Sequence, residues 1–291
     1  MSLSSDYMER LYTVYPWPDN PFTEEGRERY EYELSVFEKV ISHEWVRKIV
    51  KSVNDRIWIL DVCGGAGIGG VGFAKVLREK YDVETGLTII DLRRNALRIA
   101  REFSRRELGY EAETINRNVL EKLDLARKYD FALLWGHSTP HFSPWDLVAL
   151  YANIANLVKD NGLFIYDEID RVYTVFYLKG YKDVLPELVE NNRIVLTIHK
   201  GRNYKTGFFH RVAYNLASGD LVGMRVYMWD IAGSASLAWV FFNDVDFIEV
   251  GRPYSGVVLA YKPRKNVDFM DFLESKPRMI SGTNEYADGF S

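Results

Sequence analysis

The chain has 291 residues, 47% of them hydrophobic and 27% charged, with a formal net charge of −4 at pH 7. That length suits one large α/β domain or a domain with a modest insertion, and the near-balanced charge excludes the basic footprint of a protein that tracks phosphate backbones. Cys63 is the single cysteine, so no internal disulfide can form and a reducing, cytoplasmic setting is expected. No apolar run is long enough to span a bilayer, and Met1–Asp6 lacks the basic-then-apolar order of a secretory signal. Neither nucleic acid nor membrane is therefore expected as a partner. The chain has no glutamine, a depletion of thermolabile amides that points weakly to a hot habitat.

In chain order, Tyr12-Thr13-Val14-Tyr15-Pro16-Trp17-Pro18 reads as an aromatic, proline-broken lead-in. From Glu24 the apolar residues Tyr30, Leu34, Phe37, Val40 and Ile41 recur at helical spacing, and Trp45 to Val53 continues the pattern. Ile57–Val62 is then a short apolar run ending in glycines, the mark of a buried parallel strand. Helical sequence follows from Gly67 to Lys80, a second strand over Leu87–Ile90, a helix over Asn95–Leu108 and a third strand over Ala112–Ile115. Asp130–Trp135, Trp145–Val158 and Leu163–Tyr166 supply strand, helix and strand again. This repetition predicts a parallel sheet covered on both faces. Residues 170 to 200 declare no period. Phe208–Leu216 and Leu221–Trp229 read as a hairpin through Ala217-Ser218-Gly219-Asp220, and Asp246–Val250 and Val257–Tyr261 as two more strands.

The informative segment is Leu60-Asp61-Val62-Cys63-Gly64-Gly65-Ala66-Gly67-Ile68-Gly69-Gly70. A strand that ends in glycines and opens a helix lets a ligand approach bare backbone and unpaired N–H groups. Gly65 to Gly70 also satisfies the dinucleotide pattern G-x-G-x-x-G with Asp91 at the required distance, which keeps a nicotinamide-dependent oxidoreductase as an alternative. Against it, Asp61 before the glycines suits a ligand with an ammonium group and would repel a pyrophosphate. Both acids also have an ordinary reading as helix caps.

The stretch Leu60–Gly67 resembles motif I of class I S-adenosylmethionine-dependent methyltransferases, with Asp61 as the acid, Gly65 and Gly67 as the second and third glycines, and Cys63 in place of the first. Asp91 resembles the family acid at the end of the second strand. Arg117-Asn118-Val119 stands at the adenine loop, Tyr129-Asp130 at the start of the fourth strand, and Val158–Leu163 at the turn into the fifth. The resemblance spans about residues 55 to 170 and, more loosely, the strands to 261. It implies a doubly wound, mostly parallel seven-stranded sheet with a helical lead-in, and an insertion plus antiparallel hairpin after the fifth strand. The implied domains are a lid at 1–54, a cofactor-binding domain at 55–265 with an insertion at about 170–207, and a peripheral tail at 266–291.

The resemblance further implies S-adenosylmethionine as cofactor. Asp61 and Gly65, Ala66 and Gly67 would hold the methionine portion, Asp91 the ribose, and Asn118 with Val119 the adenine, the Asn118 amide oxygen accepting from the adenine amino group. Cys63, Gly64, Leu92 and Trp135 complete the expected cofactor contacts. His137 and His141 flank Ser138-Thr139-Pro140 after the fourth strand; Pro140 disfavours the helix that a two-histidine metal site would need, so no metal is expected, and His137 ahead of His141 is the expected base. Asp167 and Glu168, with the lead-in aromatics Tyr12, Tyr15 and Trp17, are expected at a small-molecule substrate. A binding protein that keeps the pocket without turnover is the second alternative. The acceptor atom and the oligomeric state stay open at this level.

Overall fold

The computed structural model describes residues 4–190, 193–251 and 253–281; residues 1–3 of the expected lid and 282–291 of the expected tail lie outside them. The first helix, α1 (Ser5–Val14), starts where the Ser4 hydroxyl accepts from Tyr7 N–H. It ends at Tyr15 because Pro16 disfavours helical geometry in the residue before it. This helix was not foreseen. The next two, α2 (Glu24–Ile41) and α3 (Glu44–Ser52), follow the predicted periodicity, with Thr23 capping Gly26 N–H.

Then come β1 (Arg56–Val62), α4 (Ile68–Tyr81), β2 (Glu84–Asp91), α5 (Arg94–Leu108), β3 (Glu113–Asn116), β4 (Tyr129–Leu134), α6 (Pro144–Leu157) and β5 (Val158–Ile169), each within a few residues of its expected place. A π-helical stretch, Val172–Leu178, leads into β6 (Val184–Glu190), β7 (Arg193–Arg202), β8 (Phe209–Asn215) and β9 (Leu221–Val226). The chain closes with α7 (Ile231–Phe241), β10 (Phe242–Glu249), β11 (Ser255–Pro263) and the short α8 (Asp271–Glu274).

The main sheet has seven strands in the order β3-β2-β1-β4-β5-β11-β10. The strands β1 to β5 pair in parallel, and β11 lies antiparallel between β5 and β10. Alternation along each strand feeds two cores. Ile57, Ile59, Phe131, Leu133 and Ile165 join the α2–α5 side. Leu60, Val62, Ala132, Leu134 and Tyr166 join the α6–α7 side. Buried on both faces, these strands show no polar alternation in sequence.

The expected insertion and hairpin form one unit, a second, antiparallel sheet in the order β6-β7-β8-β9. Its β6 and β7 escaped the sequence because Pro186 and a register shift between Pro186 and Leu188 interrupt the pattern, as an edge strand tolerates. Helix α1 lies on this sheet: Leu11 and Val14 pack with Val195, Ala213 and Val222. The Tyr7 hydroxyl donates to Gly223 O at 3.0 Å, and Asn215 donates to Val14 O at 3.3 Å. Leu11→Ala should weaken this docking by roughly 2–4 kcal/mol. Hydrogen exchange checks it: amides of α1 should exchange faster while those of β1, β4 and β5 stay protected.

Candidate active site

The carboxyl ends of β1, β2, β4 and β5 converge, the position where open α/β sheets bind ligands. The turn after β1 is strongly bent: Cys63, Gly65 and Gly67 adopt φ of 56°, 54° and 87°. That left-handed region suits glycine and strains a side chain, so Cys63 carries the conformation of the glycine it replaces. Asp91 ties the turn to its neighbour. Its Oδ2 accepts from Gly65 N–H at 2.8 Å and its Oδ1 from Arg93 N–H at 2.7 Å. Burial pushes the Asp91 pKa up, opposed by Arg93 and these two N–H groups.

Asp61 does something other than expected. It is fully buried beneath the loop, its Oδ2 accepting from Gly70 N–H at 2.8 Å, and it lines neither cavity of the site. A Cβ on Gly64 or Gly70 would collide with its carboxylate. Asp61 Oδ2 therefore braces the loop from behind, while its buried Oδ1 has no hydrogen-bond partner among the described residues. Gly67 is also a packing residue, facing Ile89 and Ala100 and lining neither cavity.

The rim after β4 is organised by Asp167. Gly136 (φ 94°) and His137 (φ 57°) are both left-handed, so their N–H groups converge, and both donate to the Asp167 carboxylate at 3.0–3.1 Å. His137 Nδ1 lies 3.0 Å from Asp167 Oδ2. Burial alone would raise the Asp167 pKa, but His137, its N–H bonds and Arg29 bring it below the usual value. Glu168, one residue on, points to the opposite face of β5, where it accepts from Thr139 and pairs with Arg171. It holds the β5 end and does not reach the site.

Two adjoining cavities share Tyr12, Cys63, Arg93 and Ser138. The larger is lined by Asp91, Leu92, Asn118, Val119 and His141, the smaller by Gly64, Gly65, Ala66, Trp17 and Trp135. The Asn118 amide oxygen accepts from Leu120 N–H at 3.1 Å, which uses one of its two lone pairs. Burial and the nearby Arg171, Arg225 and Arg93 lower the His141 pKa to about 4, keeping the imidazole neutral. Trp135 is buried under the loop, its side chain against Gly69 and its ring 4.3 Å from Phe37.

The lead-in divides. Tyr12 and Trp17 line the cavities, and Trp17 meets His137 edge-on at 6.2 Å. Tyr15 turns away to the second sheet, beside Leu188 and Met224 in the same cluster. The sequence reading missed Met8, Asp19, Arg29, Arg93 and Ser138, all lining residues. Arg29 had a visible signal: it pairs at i,i+4 with Glu33, a buried carboxylate on the apolar stripe of α2 where an aliphatic residue is usual.

The buried Asp61 has a pKa raised to about 7, chiefly by burial and against the Gly70 N–H bond. Its protonated form is favoured in the fold, so native stability falls as pH rises from about 4 towards 7. Asp61→Asn can keep the Gly70 bond and has no carboxyl proton to lose. Denaturant unfolding should show it gaining on the parent across that window, by an amount on the order of a few kcal/mol at pH 8.

Comparison with known proteins agrees with this architecture. Residues 59–162 match the model of a methyltransferase domain family. No curated protein sequence matches the chain. Among solved structures, a Pyrococcus horikoshii OT3 protein superposes with TM-score 0.58 at 19% identity, covering 87% of this chain and 98% of its own. An S-adenosylmethionine-dependent methyltransferase from Clostridium acetobutylicum gives 0.55 at 14% identity, over 79% and 92%. CalS10, an amino pentose methyltransferase from Micromonospora echinaspora, gives 0.51 at 14% identity, over 88% and 96%. A dinucleotide fold would run 3-2-1-4-5-6 with parallel strands, whereas here antiparallel β11 is inserted between β5 and β10. The sheet order is that of the class I methyltransferase fold, and residues 59–162 within it match a methyltransferase domain.

Proposed function

We propose that the protein transfers the methyl group to a small-molecule acceptor held between the His137 rim and the N-terminal segment. The observation that carries this reading is the roof. Tyr12, Trp17 and Asp19, from α1 and the strap after it, close over the glycine turn and leave two modest cavities in place of an open groove. In this reading residues 4–54 act as the lid and 55–265 as the catalytic body, and the single cysteine fits a cytoplasmic setting. The amino sugar named for CalS10 supports a small acceptor in the same fold.

The residues present fit the cofactor. The bare backbone of Gly64 and Gly65 forms one wall of the smaller cavity. The buried Asp91 carboxylate faces the larger one, where it would take the ribose, and Leu92 and Val119 would flank the adenine. Arg29, whose guanidinium reaches the Gly136 turn, would take the methionine carboxylate. When bound, S-adenosylmethionine supplies a methyl group already activated by positive sulfur.

The protein's work is then to orient the acceptor, exclude water and, where the nucleophile must lose a proton, accept it. His137 is the base in this reading. Asp167 Oδ2 lies 3.0 Å from Nδ1 and would favour the proton on that nitrogen, leaving Nε2 to accept from the acceptor. The strained Gly136–His137 backbone, locked by Asp167, holds the ring at that angle.

Two measurements test this. Labelled-methyl transfer to a metabolite extract should mark small molecules; label in the protein or RNA fraction overturns the small-acceptor reading, and no label in any fraction favours a silent binder. His137→Asn keeps a residue tolerant of positive φ. It should lower kcat about 10²- to 10⁴-fold with S-adenosylhomocysteine affinity unchanged, and an undiminished kcat removes the base role.

A further inference from the structure

The Arg93 side chain stands at the one place shared by both halves of the site. It is buried, 7% exposed, and it lines both cavities. Its guanidinium is enclosed by groups that select a cation. The Asp19 carboxylate of the strap pairs with Nη1, and Asp91 Oδ1 lies 3.6 Å from Nε. The Tyr12 ring covers the guanidinium carbon at 3.7 Å, a close cation–π contact. A Cβ on Gly65 would come within 2.6 Å of Nη2, so the guanidinium lies on the bare backbone that the glycine turn exposes.

S-adenosylmethionine carries two cations of its own, the sulfonium and the ammonium. A ligand that spans both cavities must pass the junction where Arg93 sits, and two positive groups cannot share a desolvated space between Asp91 and Asp19 without a large repulsion. We propose that Arg93 is a built-in competitor for the cofactor. Its guanidinium, held also by Asp91, occupies the cation site made by Tyr12 and Asp19, and it must swing outward before the cofactor's cationic part takes that site. The same movement breaks the Asp19 pair, so cofactor entry and the hold of the strap are exchanged one for the other. This inference rests on the placement of the cofactor across the two cavities.

Because only the conformers with Arg93 out bind, the apparent dissociation constant exceeds the intrinsic one by the inverse of their population. Arg93→Met removes the competing charge and keeps the stem's volume. Calorimetry on the full chain should find S-adenosylmethionine bound about tenfold more tightly by this variant if the outward population is about a tenth. The gain should be smaller for S-adenosylhomocysteine, whose sulfur is neutral. Arg93→Lys, which keeps the charge but loses the planar fork, should gain less for both compounds, and it serves as the second variant if Met at this position does not fold. Unchanged or weaker binding of S-adenosylmethionine by the folded variants, with the parent binding normally, overturns the competitor role; equal losses for both compounds would mark Arg93 as a positioning residue for Asp91. Binding of neither compound by any of the three proteins overturns both this inference and the cofactor placement.

Discussion

The site depends on one buried carboxylate. Asp91 receives the N–H of Gly65 from the turn after β1 and the N–H of Arg93 at the start of α5. It thereby joins two strand-to-helix turns that would otherwise be independent loops. A buried carboxylate is tolerable only with such partners, and with them its remaining lone pairs face the cavity. Asp61 does the complementary job from behind, gripping Gly70 N–H so that the turn cannot collapse into the sheet. The turn is thus fixed on both sides by acids, and only one of the two is presented to a ligand.

The same device recurs at the acceptor rim. Asp167 gathers the N–H groups of Gly136 and His137, and the cost of the left-handed His137 is offset by a charge-assisted pair of hydrogen bonds. Acid, strained backbone and exposed functional atom form a repeated unit at the ends of β2 and β5. The roof is held differently. Helix α1 belongs energetically to the second sheet, through Leu11, Val14 and Tyr7. It touches the cofactor side through Tyr12 and the strap residues Trp17 and Asp19. Its position therefore reports on both the insertion and the cradle.

Parts of the site were legible because their chemistry is local. Glycines after an apolar run, an acid one strand later and histidines after the fourth strand are all spacings along one chain; the structure puts Asp91, Leu92, Val119 and His141 on one cavity and Gly65 on its neighbour, with His137 beside Asp167 and lining neither. What misled was direction. Asp167 and Glu168 are adjacent, yet alternation sends one to the rim and the other behind it. Tyr12 and Tyr15 are three apart and both pack against the second-sheet cluster, yet only Tyr12 also lines the cavities. Helix α7 (Ile231–Phe241) went unseen because its mostly apolar sequence shows no periodic stripe.

By itself the sequence determined the alternation of buried strands and helices, the glycine turn and its acids, and so the fold class. Those features arise from backbone conformation and from periodicities of two and 3.6 residues, which neighbours in sequence impose. Only the tertiary structure decided which acid faces the ligand, which aromatic closes the roof, and that Arg93 of the second turn meets Asp19 and Tyr12 of the lead-in. Those contacts join residues more than seventy positions apart, and no local pattern encodes the direction in which a side chain leaves its element.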